Sequence, residues 1–281
     1  GGGYIGIEFA SMMTSFGSKV TVVASGPHIL DREDPDIAAI YEKSLQDRGV
    51  TILTGVLAKS GSKQDGVITV ELSDGSSVSA EKVLVAAGRI PNTKGIGLEE
   101  AGVTLDQRGF ISVDDHLRTN LDGVWAAGDC AGTPMFTHAS WNDYRIIREQ
   151  MDGVSLDDPR TSKAGRLIPW ALFAEPELGR IGINETQAKE QGLDVLVASI
   201  DTAAIPRAKT MRDTTGKWKA IVDAKIHTIL GATLVGPQSG EVITAVQVAI
   251  AAGMTYEQLR MLPIAHPTMG EGLNILFDSL A

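Results

Sequence analysis

Gly1-Gly2-Gly3-Tyr4-Ile5-Gly6-Ile7-Glu8 decides how the rest of the chain is read. Gly1, Gly3 and Gly6 stand in a G-x-G-x-x-G pattern. The first glycine of such a pattern permits a tight turn. The second lets backbone approach a pyrophosphate, and the third lets a helix pack closely on a strand. The helix that follows offers free N–H groups and a positive dipole end to the phosphates. Alone the pattern is a weak signal, because glycines also make plain turns. Its surroundings strengthen it. Ile5, Phe9, Met12, Met13 and Phe16 recur at helical spacing, and Gly17 closes the segment. Lys19 to Val23 then reads as a strand.

Outward from that turn, Asp34-Pro35 opens a second helix, with Asp34 as its cap and an apolar face of Ile37, Ile40, Tyr41 and Leu45. Thr51–Leu53 reads as a strand. Val67–Leu72 and Ser76–Ala80 flank Asp74-Gly75, a hairpin signal. Val83 to Ala87 reads as a buried strand running into Gly88. Residues 1–88 therefore read as a doubly wound, Rossmann-like α/β domain for NAD(P), with a β insertion and without its first strand. Position 1 is Gly rather than Met, so a truncated or cleaved N-terminus is expected.

Residues 89–160 are mixed, with a short strand at Val124-Trp125-Ala126 ending on Gly128-Asp129, and a helix over about 141–150. Pro159 to Arg166 is polar and marks a boundary. Residues 167–281 read as an α+β domain. Asn184 with Gln187, and Thr255 with Gln258, form capping-box signatures. Strands are expected over 195–200, 218–222 and 232–235. An apolar helix follows Ser239 and ends at Gly253, and a last helix covers about 271–280.

Net charge is −10, which argues against long duplex nucleic acid as a partner. No apolar run reaches about 18 residues, so no membrane-spanning helix is expected. The single cysteine, Cys130, excludes an intrachain disulfide framework and fits a reducing, cytoplasmic setting. Its neighbours supply no positive charge, so it reads as a lone structural thiol. His116, His138 and His227 show no metal-ligand spacing. Arg207, Lys209 and Arg212 read as a solvated face.

An NAD site normally carries a carboxylate where the strand after the Gly turn ends. Here Val20-Thr21-Val22-Val23 runs into Ala24-Ser25. A 2′-phosphate would meet no repulsion there, and Ser25, His28 or Arg32 lie near enough in sequence to meet it. NADP(H) is thus favoured, with NADH tolerated. Asp129 in its Gly turn can accept from sugar hydroxyls, or serve as an ordinary turn former. His266-Pro267-Thr268-Met269-Gly270-Glu271 lies between two helices. His266 can exchange a proton near neutral pH, and Glu271 can hold one of its ring nitrogens. The other reading is a helix cap, with Glu271 favoured at a helix N-terminus.

These motifs fall in one order along the chain. Gly1 to Glu8, Ala86-Ala87-Gly88-Arg89-Ile90-Pro91-Asn92, Val124 to Asp129, Gly179-Arg180-Ile181-Gly182 and His266-Pro267-Thr268 with Glu271 together resemble the FAD- and NAD(P)-dependent pyridine nucleotide–disulfide oxidoreductases. Trp141-Asn142-Asp143-Tyr144-Arg145 and Ile205-Pro206-Arg207-Ala208 resemble its reactive-chlorine-resistance flavoproteins more than its dihydrolipoamide dehydrogenases or mercuric reductases. The resemblance implies several roles. Gly1, Gly3 and Gly6 would cradle the NAD(P) pyrophosphate, with Glu8 near the nicotinamide and Gly88 lining the same cleft. Gly128 and Asp129 would belong to the second FAD motif. His266, oriented by Glu271, would act as base in a homodimer, toward the partner's redox disulfide. Residues 89–160 would complete a FAD-binding domain, and 167–281 would be the dimerisation domain. The family's first flavin turn and its Cys-x4-Cys pair are not in this sequence. A disulfide, a metal ion or a small oxidant would be the acceptor. The alternatives are a non-catalytic nucleotide-binding and dimerisation fragment, or a flavin oxidase without the disulfide pair.

Overall fold

A computed structural model of the chain describes residues 1–280. Residues Gly1–Ala87 and Pro169–Ala281 make one compact unit, and Gly88–Ile168 a second.

The first unit opens with α1 (Tyr4–Ser15), β1 (Thr21–Val23), α2 (Pro35–Asp47) and β2 (Thr51–Leu53). β1 and β2 pair in parallel, Thr21 opposite Thr51, as α/β winding requires. Gly17 and Gly49 take positive φ at the ends of α1 and α2, where a side chain would be strained. A three-stranded antiparallel sheet follows: β3 (Ala58–Gln64), β4 (Val67–Leu72) and β5 (Ser77–Ala80). The β4–β5 hairpin was expected, and β3 was not. Every residue of β3 is exposed, so it carries no apolar alternation to read.

Val83 to Ala87 is a correction. The run is extended but forms no strand, and Val83, Leu84 and Val85 are 45, 54 and 82% exposed. A continuous apolar run is the mark of a strand flanked on both sides in a parallel sheet. The parallel sheet among the described residues is β1–β2 alone, so the run has no ladder to join.

The second unit holds a 3₁₀ turn (Gly128–Ala131) and α3 (Thr137–Met151). Val124–Ala126 is likewise no strand: Trp125 makes one isolated bridge to Arg118. Its extended segment is held by backbone bonds such as Ala126 N–H to Leu117 O (3.1 Å) and by the Trp125 indole donating to Gln150 (3.1 Å).

The rest of the first unit is a five-stranded antiparallel sheet. Its strands are β6 (Trp170–Leu172), β7 (Leu178–Gly182), β8 (Val195–Asp201), β9 (Lys217–Asp223) and β10 (Ile229–Val235), in the order β6-β7-β10-β9-β8. The helices are α4 (Glu185–Glu190), α5 (Pro206–Met211), α6 (Ser239–Ala251), α7 (Tyr256–Arg260) and α8 (Gly272–Asp278). Both capping boxes form. β7 escapes a sequence reading because it carries Gly179 and Gly182. A side chain on Gly179 would run into the backbone of Ser239, so glycine lets α6 lie tight on the strand.

Two apolar cores hold this unit. One packs Trp218, Leu234, Val246, Leu276 and Phe277 between the sheet and α6–α8. The other joins the N-terminal half to the sheet, with Ile7, Ile29, Leu30 and Tyr41 against Leu172, Leu178 and Val235. Each such fully buried side chain stabilises the fold by about 1.5–3 kcal/mol.

Asp34 does not cap α2 with its side chain. Its carboxylate instead accepts from the Thr186 N–H (2.9 Å) and hydroxyl (2.7 Å) at the start of α4, and from Lys219 Nζ (3.0 Å). Lys219 also meets Asp36 (3.1 Å) and Glu185 (2.6 Å). Burial alone would raise the Asp34 pKa, but the bonds from Thr186 and Lys219 outweigh it and hold the carboxyl below its ordinary 3.8. A carboxylate with a depressed folded-state pKa stabilises fully above its unfolded value, and that stability is lost as pH falls through the folded value. Asp34→Asn is therefore expected to destabilise the protein at pH 7. The gap to wild type in urea unfolding should close as pH drops below about 3.8. A gap that stays constant with pH would contradict the assignment.

Candidate active site

The Gly turn is built from three close approaches and one open position. A Cβ on Gly1 would strike the Ala86 carbonyl, and one on Gly6 would strike the Gly1 carbonyl. A Cβ on Gly2 would come within 2.7 Å of the Ala24 Cβ. These contacts hold the turn against the end of β1 and against Ala86-Ala87. Gly3 differs. Its φ of −79° suits any residue, and a Cβ there would meet nothing within 4 Å. Packing therefore does not account for glycine at Gly3, and the open space there would admit a close-approaching ligand.

α1 is open to the same ligand. Gly3 lends no side-chain cap, the first turn holds no acidic residue, and intrahelical bonding starts with Ile7 N–H to Gly3 O (3.0 Å). The N–H groups before Ile7 are those a phosphate would take. The residues present thus fit a dinucleotide pyrophosphate.

Ser25 is exposed just past β1, and Ala24 is buried. The strand end is nevertheless not free of negative charge. An Asp31 carboxylate oxygen sits 3.1 Å from where a Cβ on Gly26 would be. Sequence spacing hid this, because the loop folds back over its own start. Glu8 accepts from the Phe173 N–H (2.9 Å), which fixes one carboxylate oxygen against the backbone after β6. Gly88 has φ +132° and open space around it.

In the second unit, Gly128 is buried with φ +71°, and a Cβ there would press on the Ser140 hydroxyl at 3.0 Å. Its N–H donates to Asp143 (2.7 Å), as does the Thr133 hydroxyl (2.7 Å), while Arg166 pairs with Asp143 at 2.6 Å. Asp143 is fully buried, so this charge is held entirely by its partners. The anchor ties the Gly128-Asp129 turn to α3 and leaves Asp129 facing outward, 55% exposed, with Arg89 at 3.8 Å. An outward carboxylate on a fixed turn can accept from ligand hydroxyls. Asp143 and Arg166 carried no local signal, since their partners lie far along the chain. Cys130 is half-buried and donates to the Ala127 carbonyl at 3.3 Å.

His266 and Glu271 do meet. His266 Nδ1 lies 2.9 and 3.0 Å from the two Glu271 oxygens. Glu271 is only 12% exposed and His266 71%. The Thr268 N–H (3.3 Å) also donates to Glu271, and the Thr268 hydroxyl accepts from the Glu271 N–H (3.3 Å). Behind them, a Cβ on Gly272 would collide with Trp218 (2.6 Å) and Ile205 (2.7 Å), so glycine seats α8 directly on the sheet. A carboxylate that only accepts would take its bond from an Nδ1–H, which would leave Nε2 as the ring nitrogen able to accept.

Residues 1–143 match the model of the pyridine nucleotide-disulphide oxidoreductase family, and residues 168–276 match that family's dimerisation domain. The chain belongs to the pyridine nucleotide-disulphide oxidoreductase family. Members are FAD-dependent and use NAD(P)H. The chain is 41% identical over 278 residues to the probable pyridine nucleotide-disulfide oxidoreductase RclA of Escherichia coli strain K12, covering 99% of this chain and 62% of the relative. It is 36% identical over 274 residues to the dihydrolipoyl dehydrogenase of Geobacillus stearothermophilus, covering 96% of this chain and 57% of that protein. The solved structure of the HOCl-induced flavoprotein disulfide reductase RclA from E. coli superposes with a TM-score of 0.91 at 41% identity, over 99% of this chain and 63% of that one. The Cu(II) complex of that reductase gives 0.92 at 40% identity, over 100% of this chain and 63% of that one. The chain therefore spans about three fifths of the length of the relatives it matches. Its fold class, a mixed α/β nucleotide domain with a dimerisation domain, is the one expected from the motifs. No helix among the described residues is long and apolar enough to cross a membrane.

Proposed function

We propose that this chain is the nucleotide-binding and dimerisation part, with a portion of the FAD-binding domain, of a homodimeric NAD(P)H-dependent flavoprotein disulfide reductase. The observation that carries this is Gly3, whose missing side chain nothing in the protein requires, at the uncapped N-terminus of α1. When bound, NAD(P)H would supply a hydride and FAD two-electron redox chemistry.

This chain's residues position and protonate. Gly1 and Gly6 hold the turn closed so that the N–H groups of α1 converge on the pyrophosphate, and Gly3 lets it come close. Ser25, with His28 and Arg32, faces the ribose end, and Asp31 opposes a 2′-phosphate there, so NADPH preference rests on that balance. Glu8 serves the nicotinamide end, and Gly128 and Asp129 hold the flavin's sugar-alcohol chain. His266 Nε2 takes and returns the proton of the partner subunit's thiol, while Glu271 holds Nδ1 and stabilises the imidazolium.

The acceptor is a disulfide, a metal ion or a small oxidant. The E. coli relative is described as HOCl-induced and has been solved as a Cu(II) complex, which brings Cu(II) and oxidants of that kind forward as candidates. The test is steady-state NADPH and NADH oxidation by the full-length protein with a small disulfide, Cu(II) or a chloramine as acceptor. Turnover is expected with at least one, at about 1–100 per second. Oxidation no faster than without acceptor, for all three, would overturn the proposal.

A further inference from the structure

Four side chains, two of them buried and two half-buried, close a ring behind the Gly turn. The Tyr4 hydroxyl, at the first position of α1, donates a hydrogen bond to one oxygen of Glu33. The other Glu33 oxygen accepts from Arg180 on β7 at 2.8 Å. The Arg180 guanidinium lies over the Trp170 ring, 4.9 Å from its centroid. Trp170, on β6, meets the Tyr4 ring edge-on at 6.5 Å between centroids. The Glu33 and Arg180 side chains are 0 and 2% exposed.

The ring acts on the turn at a second point. Glu33 ends the loop whose Leu30 N–H donates to the Gly2 carbonyl (2.8 Å). Arg180 grips the same loop through the Arg32 carbonyl (3.1 Å), and Asn184 holds that carbonyl too (3.1 Å). The second guanidinium nitrogen binds Gln187 Oε1 (2.6 Å), the side chain that completes the α4 capping box. One arginine of the dimerisation part thus fixes both the loop behind the turn and, through Glu33 and Tyr4, the start of α1.

We propose that Arg180 and Tyr4, joined through Glu33, are positioning residues for the pyridine nucleotide: β7 of the dimerisation part sets the height and tilt of the turn that receives the pyrophosphate. A fully buried ion pair is weak evidence for stability by itself, because hydrophobic replacements often do as well. Its geometric value is different. A forked guanidinium specifies direction, and phosphate binding by backbone N–H groups is sensitive to small displacements. The inference rests on the nucleotide-binding role assigned to Gly1, Gly3 and Gly6.

The test uses the full-length protein and two variants. Tyr4→Phe removes one hydroxyl and keeps the ring on Trp170. Arg180→Met removes the fork and leaves Glu33 buried with one partner. NADPH and NADH dissociation constants are measured by equilibrium titration of tryptophan fluorescence, alongside KM, kcat and the melting temperature. Tyr4→Phe is expected to raise the dissociation constant and KM about five- to tenfold, with kcat at saturating nucleotide changed less than twofold. Arg180→Met, where it folds, should raise them further. A lower melting temperature with a dissociation constant within twofold of wild type for Tyr4→Phe would reduce the ring to a structural role and overturn the inference. Absence of nucleotide binding by the wild type would instead remove the binding role of the glycine turn, and the inference with it.

Discussion

His266→Gln in the full-length protein is expected to lower kcat for acceptor reduction about 10²- to 10⁴-fold near neutral pH. Glutamine keeps a polar side chain of similar reach but takes no proton. His266 is 71% exposed, so the change removes little packing and the melting temperature should barely move. Bleaching of the flavin band by NADPH should persist, because the proposed base would serve the thiol and not the nucleotide. Glu271→Gln should cost less, about 10- to 100-fold, since it weakens the hold on Nδ1 without removing the imidazole. A His266→Gln enzyme within threefold of wild type in kcat would show that the pair is a helix cap and nothing more.

The second large effect separates two glycines of one turn. On helix propensity alone, alanine in place of a helical glycine should stabilise by about 0.5–1 kcal/mol. Gly6→Ala is expected to do the opposite, because its Cβ runs into the Gly1 carbonyl, a backbone atom that cannot rotate away. The turn must open, and with it the convergence of N–H groups on the phosphates. Loss of nucleotide affinity of about 100-fold or more, with a lower melting temperature, is the expected result. Gly3→Ala meets no protein atom within 4 Å. It should leave the melting temperature equal or higher while still weakening NADPH binding, because the new methyl stands where the pyrophosphate approaches. Equal affinities for Gly3→Ala and wild type would sever the turn from the ligand.

The parts of this molecule that a sequence discloses are those whose cause is local. The Gly turn, the capping boxes Asn184–Gln187 and Thr255–Gln258, and the His266–Glu271 contact all join residues five or fewer apart. Each is written in residue types at fixed spacing. The ring behind the turn is not, since Arg180 and Glu33 stand 147 residues apart and meet only after β7 packs on the loop. Asp143 entered the sequence reading only within the motif Trp141 to Arg145, yet in the structure it anchors the Gly128 turn. The misreading of Val83–Ala87 has a related cause. Apolar composition states what a segment is able to bury, whereas a strand also needs hydrogen-bonded neighbours, and this run has none among the described residues. Asp34 shows the same limit at a helix end. Its position before Pro35 is that of a cap, but α4 and Lys219 compete for its carboxylate and win.

The most direct measurement is an anaerobic titration of the purified full-length protein with NADPH and with NADH, followed by visible absorbance. A bleached flavin band with a long-wavelength thiolate–flavin charge-transfer feature is predicted, and that feature should shift its pH dependence in His266→Gln. A sample with no flavin band, or a band that neither nucleotide reduces, would contradict the account.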